Sequence, residues 1–160
     1  MQKLKILNTR EVKKLKELLN QQFGYAFQED YAYLENENKF KIYLVTKDIS
    51  KIDINSLRID RYGLYLGERK GEQFRLSMEG TQLLAQEASE NEVKLNNVID
   101  LNEEELRDYF QGLGLDKLDL VDENKLILLR YKKDIFGCAK LKGGKIINFL
   151  PKIHRGELIL

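Results

Sequence analysis

The sequence predicts an α+β protein in two parts, a helix-and-antiparallel-sheet portion over residues 1–89 and a smaller strand-rich portion over residues 90–160. Three observations carry this reading. Residues 9–24 repeat their apolar positions at helical spacing. Residues 30–49 and 125–150 form short alternating or apolar runs divided by turn signals. The charge changes abruptly near residues 88–92: residues 1–86 hold 15 Lys and Arg against 12 Asp and Glu, residues 87–125 hold 4 against 12, and residues 126–160 hold 8 against 2. A net charge of +1 thus conceals an acidic middle and a basic end. The local field, more than the total, decides what such a surface attracts.

The elements follow in order. "TREVKKLKELLNQQFG" (9–24) puts Val12, Leu15, Leu18, Leu19 and Phe23 on one helical face, with Thr9 as N-cap and Gly24 beyond the end. "DYAYLENENKFKIYLVTKDI" (30–49) reads as a hairpin turning at "NEN", with Tyr31 and Tyr33, then Phe40, Ile42 and Leu44, at period two. Over 61–89, a strand through Leu66, a turn at "RKGE" and a short strand "FRL" lead to a helix capped by Ser77, whose Leu83, Leu84 and Ala88 share a face. The boundary between the two parts falls in "ASENE" (88–92). Beyond it, "VKL" (93–95) reads as a short strand and "NEEELRDYF" (102–110) as a helix, because Asn102 and Glu105 have capping-box spacing and three glutamates sit at the favourable end of the helix dipole. After the glycine-punctuated turn "QGLGLDKLDL", strands at 125–131, 134–142 and 143–150 make a meander.

Several chemistries are excluded. His154 is the only imidazole and Cys138 the only thiol, so multi-histidine metal constellations cannot form within one chain, and any nucleophile–base pair would have to use His154, as Cys138 with His154 formally could. Cys138, between Gly137 and Ala139 on a strand, reads as a small buried thiol. "GLGLDK" (112–117) lacks the third glycine and preceding strand of a dinucleotide fingerprint, and no phosphate-cradling "GxxxxGK[ST]" occurs. Glu103, Glu104 and Glu105 are consecutive, so a helix points their carboxylates apart, and they read as a solvated helix start. We therefore expect no catalytic residue, no cofactor and no metal. A lone cysteine, a charged N-terminus without an apolar h-region and no run long enough to span a membrane lead us to expect a cytoplasmic protein without membrane attachment.

The basic end is the chemistry that remains. Lys140, Lys142, Lys145, Lys152 and Arg155 recur across two strands and their turn, interleaved with Phe149, Pro151 and His154. Lysines on a sheet can track phosphates, and a flat aromatic or imidazole ring can accept an unstacked base. The same residues would also protect an exposed edge strand against pairing with another chain.

The order of the pieces resembles the Nip-seven family of ribosome-biogenesis proteins. "YGLYLGERKGEQFRLSMEGTQLLAQEASENEVKL" is similar to that family's junction, a glycine-bracketed strand, "FRL", a helix and a short strand opening a PUA domain. "EELRDYFQGLGLDKL" resembles the helix and glycine turn of the PUA domain, and "LILLRYKKDIFGCAKL" its strand pair with "GxA". The resemblance implies an N-terminal α/β domain (1–89) and a PUA-like β pseudo-barrel (90–160) that grips RNA near its final strands. It implies a non-catalytic accessory factor in ribosomal RNA processing or large-subunit assembly, with ribosomal RNA and assembly proteins as partners. The matching positions are Lys140, Lys142, Lys145, Lys152 and Arg155, with His154 beside them and Arg130 on the neighbouring strand. Two alternatives stand beside it: an RNA-docking part for a methyltransferase or pseudouridine synthase, and a protein-interaction adaptor using the acidic block.

Overall fold

A computed structural model describes residues 3–47, 63–117 and 124–156. Among these, two five-stranded sheets are built, one from each part of the chain. The first contains β1 (Leu4–Ile6), β2 (Ala32–Asn36), β3 (Lys41–Val45), β4 (Leu64–Lys70) and β5 (Gln73–Leu76), side by side in chain order and all antiparallel. Helices α1 (Thr9–Phe23) and α2 (Met78–Glu90) cover one face of it. Leu15, Leu19 and Phe23 of α1 and Leu84 and Ala88 of α2 pack with Tyr33, Ile42, Leu44, Leu66 and Phe74.

The second sheet runs in the order β6 (Val98–Asp100), β8 (Lys125–Tyr131), β9 (Asp134–Lys142), β10 (Lys145–Ile147) and β7 (Leu115–Asp116). Only β6 and β8 are parallel. The sheet curls into a half-barrel whose interior holds Ile127, Leu129, Ala139, Leu141, Ile146 and Leu150. Helix α3 (Glu103–Phe110) adds Tyr109 to it.

Strand β8 reads as a continuous apolar run because it is buried on both faces. Ile127 and Leu129 point into the half-barrel, while Leu126 and Leu128, with Cys138 of β9, belong to the cluster built on α1, α2 and the first sheet. One hydrophobic cluster therefore contains residues from both sides of positions 88–92.

The structure departs from the sequence reading in five places. Helix α1 is capped by Asn8 in place of Thr9, because Asn8 and Glu11 close a reciprocal capping box. Phe40 lies in the β2–β3 turn at φ 57°, 57% exposed, so it is not a strand residue. Residues 93–95 form no strand, since the Asn96 amide bonds the Phe23 carbonyl at the end of α1 (2.7 Å), and pairing begins at Val98. Leu115 and Asp116, read as part of a turn, pair with β10. The third strand of the meander stops at Ile147, before Asn148 turns the chain back onto α3. The readings on 48–49, 61–62, 118–120 and the tail 157–160 lie outside the described residues.

Candidate nucleic-acid interface

The basic residues near the final strands divide into three settings. Along β9, Ala139 and Leu141 point into the half-barrel, so alternation places Lys140 and Lys142 on the opposite face, with Cys138. On β10, Ile146 points inward and Lys145 and Ile147 outward. Pairing sets Lys142 opposite Lys145, and Lys140 opposite Ile147. These three lysines thus share one face of the β9–β10 ribbon. The ribbon turns at Gly143 and Gly144, whose φ values of 63° and 71° meet the need of a two-residue hairpin loop for positive φ at both positions.

Lys152 and His154 lie on a short 3-10 helix (Lys152–His154), exposed. Arg155 follows it and is held by the fold. Its Nε donates to the Leu150 carbonyl (3.0 Å), and its guanidinium lies where a Gly112 side chain would be, 2.6 Å from that position. Arg130 is engaged as well: Nε and an Nη donate to the two carboxylate oxygens of Asp100 at 2.6 and 2.9 Å. The guanidinium holds the Asp100 carboxyl below its usual range.

The segment after β10 borders a cleft of about 770 Å³. One side is the face of the first sheet turned away from its helices, with Lys41, Tyr43, Tyr65 and Arg75; the other is the segment from Phe149 to His154. A β-bulge shapes the first side. Pairing runs from Ile42 opposite Gly67 to Tyr43 opposite Tyr65, so β4 carries one extra residue. Tyr65 and Glu68, three apart, therefore face the same way, which a regular strand would forbid. The Tyr43 and Tyr65 rings lie 5.4 Å apart with 43° between their planes, and Lys41 Nζ stands 5.3 Å from the Tyr65 centroid. Arg75 bonds the buried Glu68 carboxylate and spreads its guanidinium 4.2 Å from the Phe149 centroid. Burial pushes the Tyr65 phenol well above its ordinary value, so it stays a neutral ring.

The wall segment is fastened at both ends. Asn148 Nδ2 donates to the Tyr109 and Leu113 carbonyls (2.7 and 2.9 Å), and the Gly156 amide donates to the Phe110 carbonyl (2.8 Å). Cys138 lies at the base of the cleft, where burial pushes its thiol up to about 12, so the thiolate needed of a nucleophile is disfavoured. The acidic helix start is occupied locally. Glu105 caps α3 and pairs with Lys117 at 2.7 Å, while Glu103 pairs with Arg107 at 2.8 Å. Among the described residues no helix is long and apolar enough to cross a membrane.

Sequence reasoning found the lysine face and did not find Lys41, Tyr43, Tyr65 or Arg75. These lie far from Phe149 in the chain, and the bulge that aligns them has a single mark in the sequence of β4, the isolated strand glycine Gly67. Residues 96–155 match the PUA domain of methyltransferase RsmF. No curated protein matches the chain. The C-terminal part, from just before β6 through the 3-10 helix, is a PUA domain.

Proposed function

We propose that the PUA domain of residues 96–155 binds RNA through the β9–β10 lysine face, and that the chain serves as an RNA-docking part for an RNA base-modifying enzyme. The observation that carries the reading is the match to a PUA domain that belongs, in its own family, to a methyltransferase. The lysine face supports it, because Lys140, Lys142 and Lys145 present three cations on one side of a rigid ribbon. We assign no catalytic residue to this chain, so the chemistry comes from the enzyme it serves. Of the positions expected from sequence, Lys140, Lys142, Lys145, Lys152 and His154 are proposed to meet RNA. Arg155 and Arg130 are proposed to position the fold around them.

Ribosome assembly is the second reading, with ribosomal RNA as the partner. One observation favours it: β4, β5 and α2 follow one another in the order of the Nip-seven junction, with the short strand that follows at Val98–Asp100 in place of residues 93–95. Crosslinking in cells followed by sequencing of the attached RNA separates the two. Ribosomal precursors recovered together with assembly proteins favour the second, and RNA recovered with a methyltransferase favours the first.

Replacing Lys140, Lys142 and Lys145 by Gln tests the face itself. Each lost contact to single-stranded RNA should flatten the slope of log affinity against log salt by about 0.7. The melting temperature should change little, because Lys142 and Lys145 are exposed and Lys140, half-buried, is replaced by a side chain of similar reach. A triple variant with the parent's affinity and slope would leave the lysines as edge protection only.

A further inference from the structure

We infer that the cleft between the first sheet and the Phe149–His154 segment takes up one unstacked nucleobase of the RNA held on the lysine face. This inference rests on the RNA-binding reading and adds to it a site formed jointly by the two parts of the chain.

Lys142 and Lys145, then Lys140 and Ile147, form successive rows across β9 and β10. Cys138 and Phe149, two residues further along each side, line the cleft. A strand of RNA following the lysines is led to the cleft mouth, where Ile153 stands 85% exposed.

Among the described residues that line the cleft, Lys41 and Arg75 are balanced by Glu68 and Glu79. A balanced site has no net attraction for phosphate, which the lysine rows outside it have. What the cleft offers instead is ring surface. Tyr43, Tyr65, Phe149 and the buried Tyr109 border it, with cations already placed against Tyr65 and Phe149. Bases stack on aromatic faces whatever their sequence, because every base has a π-face.

A volume of about 770 Å³ lies within the range of small-ligand cavities, roughly 300–1,000 Å³. The first-sheet side is a paired sheet and the other side is pinned by Asn148 and Gly156, so the rings are held in place before the base arrives.

The test uses the full chain and a short mixed-sequence single-stranded RNA carrying 4-thiouridine. After irradiation, mass spectrometry should locate crosslinks on peptides containing Tyr43, Tyr65 or Phe149. The variant Tyr43→Leu, Tyr65→Leu should bind the RNA about tenfold more weakly, since stacking of one base contributes ~1–3 kcal/mol, with the salt slope unchanged. Tyr65→Phe, which keeps the ring, should bind like the parent. A folded double-Leu variant with parent affinity would overturn the inference, as would crosslinks confined to β9 and β10. If the double variant does not fold, the crosslinks on the parent decide alone. Adenosine and cytidine monophosphates serve as controls; saturation of the cleft by either as readily as by RNA would make it a free-nucleotide site and overturn the RNA source. Loss of all RNA binding by the parent would overturn the function itself, an outcome distinct from RNA held on the lysines with an empty cleft.

Discussion

Glu87 is a buried carboxylate on α2 that accepts hydrogen bonds from the Tyr25 hydroxyl (2.6 Å) and the Gln28 amide (2.8 Å). It ties the segment after α1 to α2, and the phenol opposite it is pushed up to about 12, first by burial and then by Glu87. Tyr109, packed against Phe110 and Phe136, is pushed up to about 12 by burial. Both folded values lie above the ordinary 10.0, so the neutral phenols' contribution is fully present below pH 10 and is lost as pH rises toward 12. Stability measured by urea unfolding should therefore fall across that window. Tyr109→Phe, which cannot ionise, should show a shallower fall, and an unchanged pH profile would mean that Tyr109 does not titrate with unfolding.

Among the elements, β8 shows where sequence was sufficient and where it was not. "KLILLRY" announces a buried strand, yet no pattern within it says that Leu126 and Leu128 would meet one cluster and Ile127 and Leu129 another. Helix α1 was legible from its periodicity and α3 from its Asn102–Glu105 capping box, because both signals are local, while the α1 cap was read one residue late at Thr9. The strand β7 was not, because Leu115 and Asp116 are extended only through pairing with Ile146 and Lys145. Of the candidate site, the lysine rows could be read from alternation on β9 and β10, whereas the cleft depends on a bulge and on two distant segments meeting. The two-sided burial has an energetic consequence. Leu128→Ala should cost ~2–5 kcal/mol, as cavities in a packed core do. Leu113→Ala, at a half-exposed position, should stay within about 0.5 kcal/mol, as surface changes do. Denaturant midpoints of the two variants check the contrast.

At the scale of the whole molecule, the shared cluster governs whether the parts can live apart. A fragment of residues 90–160 would expose Leu126, Leu128 and Cys138, which the first sheet and its helices cover. So small a core rarely supplies more than ~3–5 kcal/mol. The fragment should show no cooperative melt by circular dichroism, while the full chain melts in one transition; a sharp melt of the fragment would show that the PUA domain is self-sufficient. The same strand raises a matter of alignment. In a half-buried strand a slip by one residue turns the apolar side chains to solvent, so hydrophobicity itself enforces correct pairing. A slip of β8 would exchange one buried leucine-rich row for another and meet little resistance from hydrophobicity. Polar marks at its end supply what the core does not: the two-pronged bond between Arg130 and Asp100, and the irregularity between Leu129 and Arg130, each fit only one alignment of β8 with its neighbours. Arg130, expected from sequence to touch RNA, is through its bond to Asp100 also an index pin for the strand on which both cores are assembled.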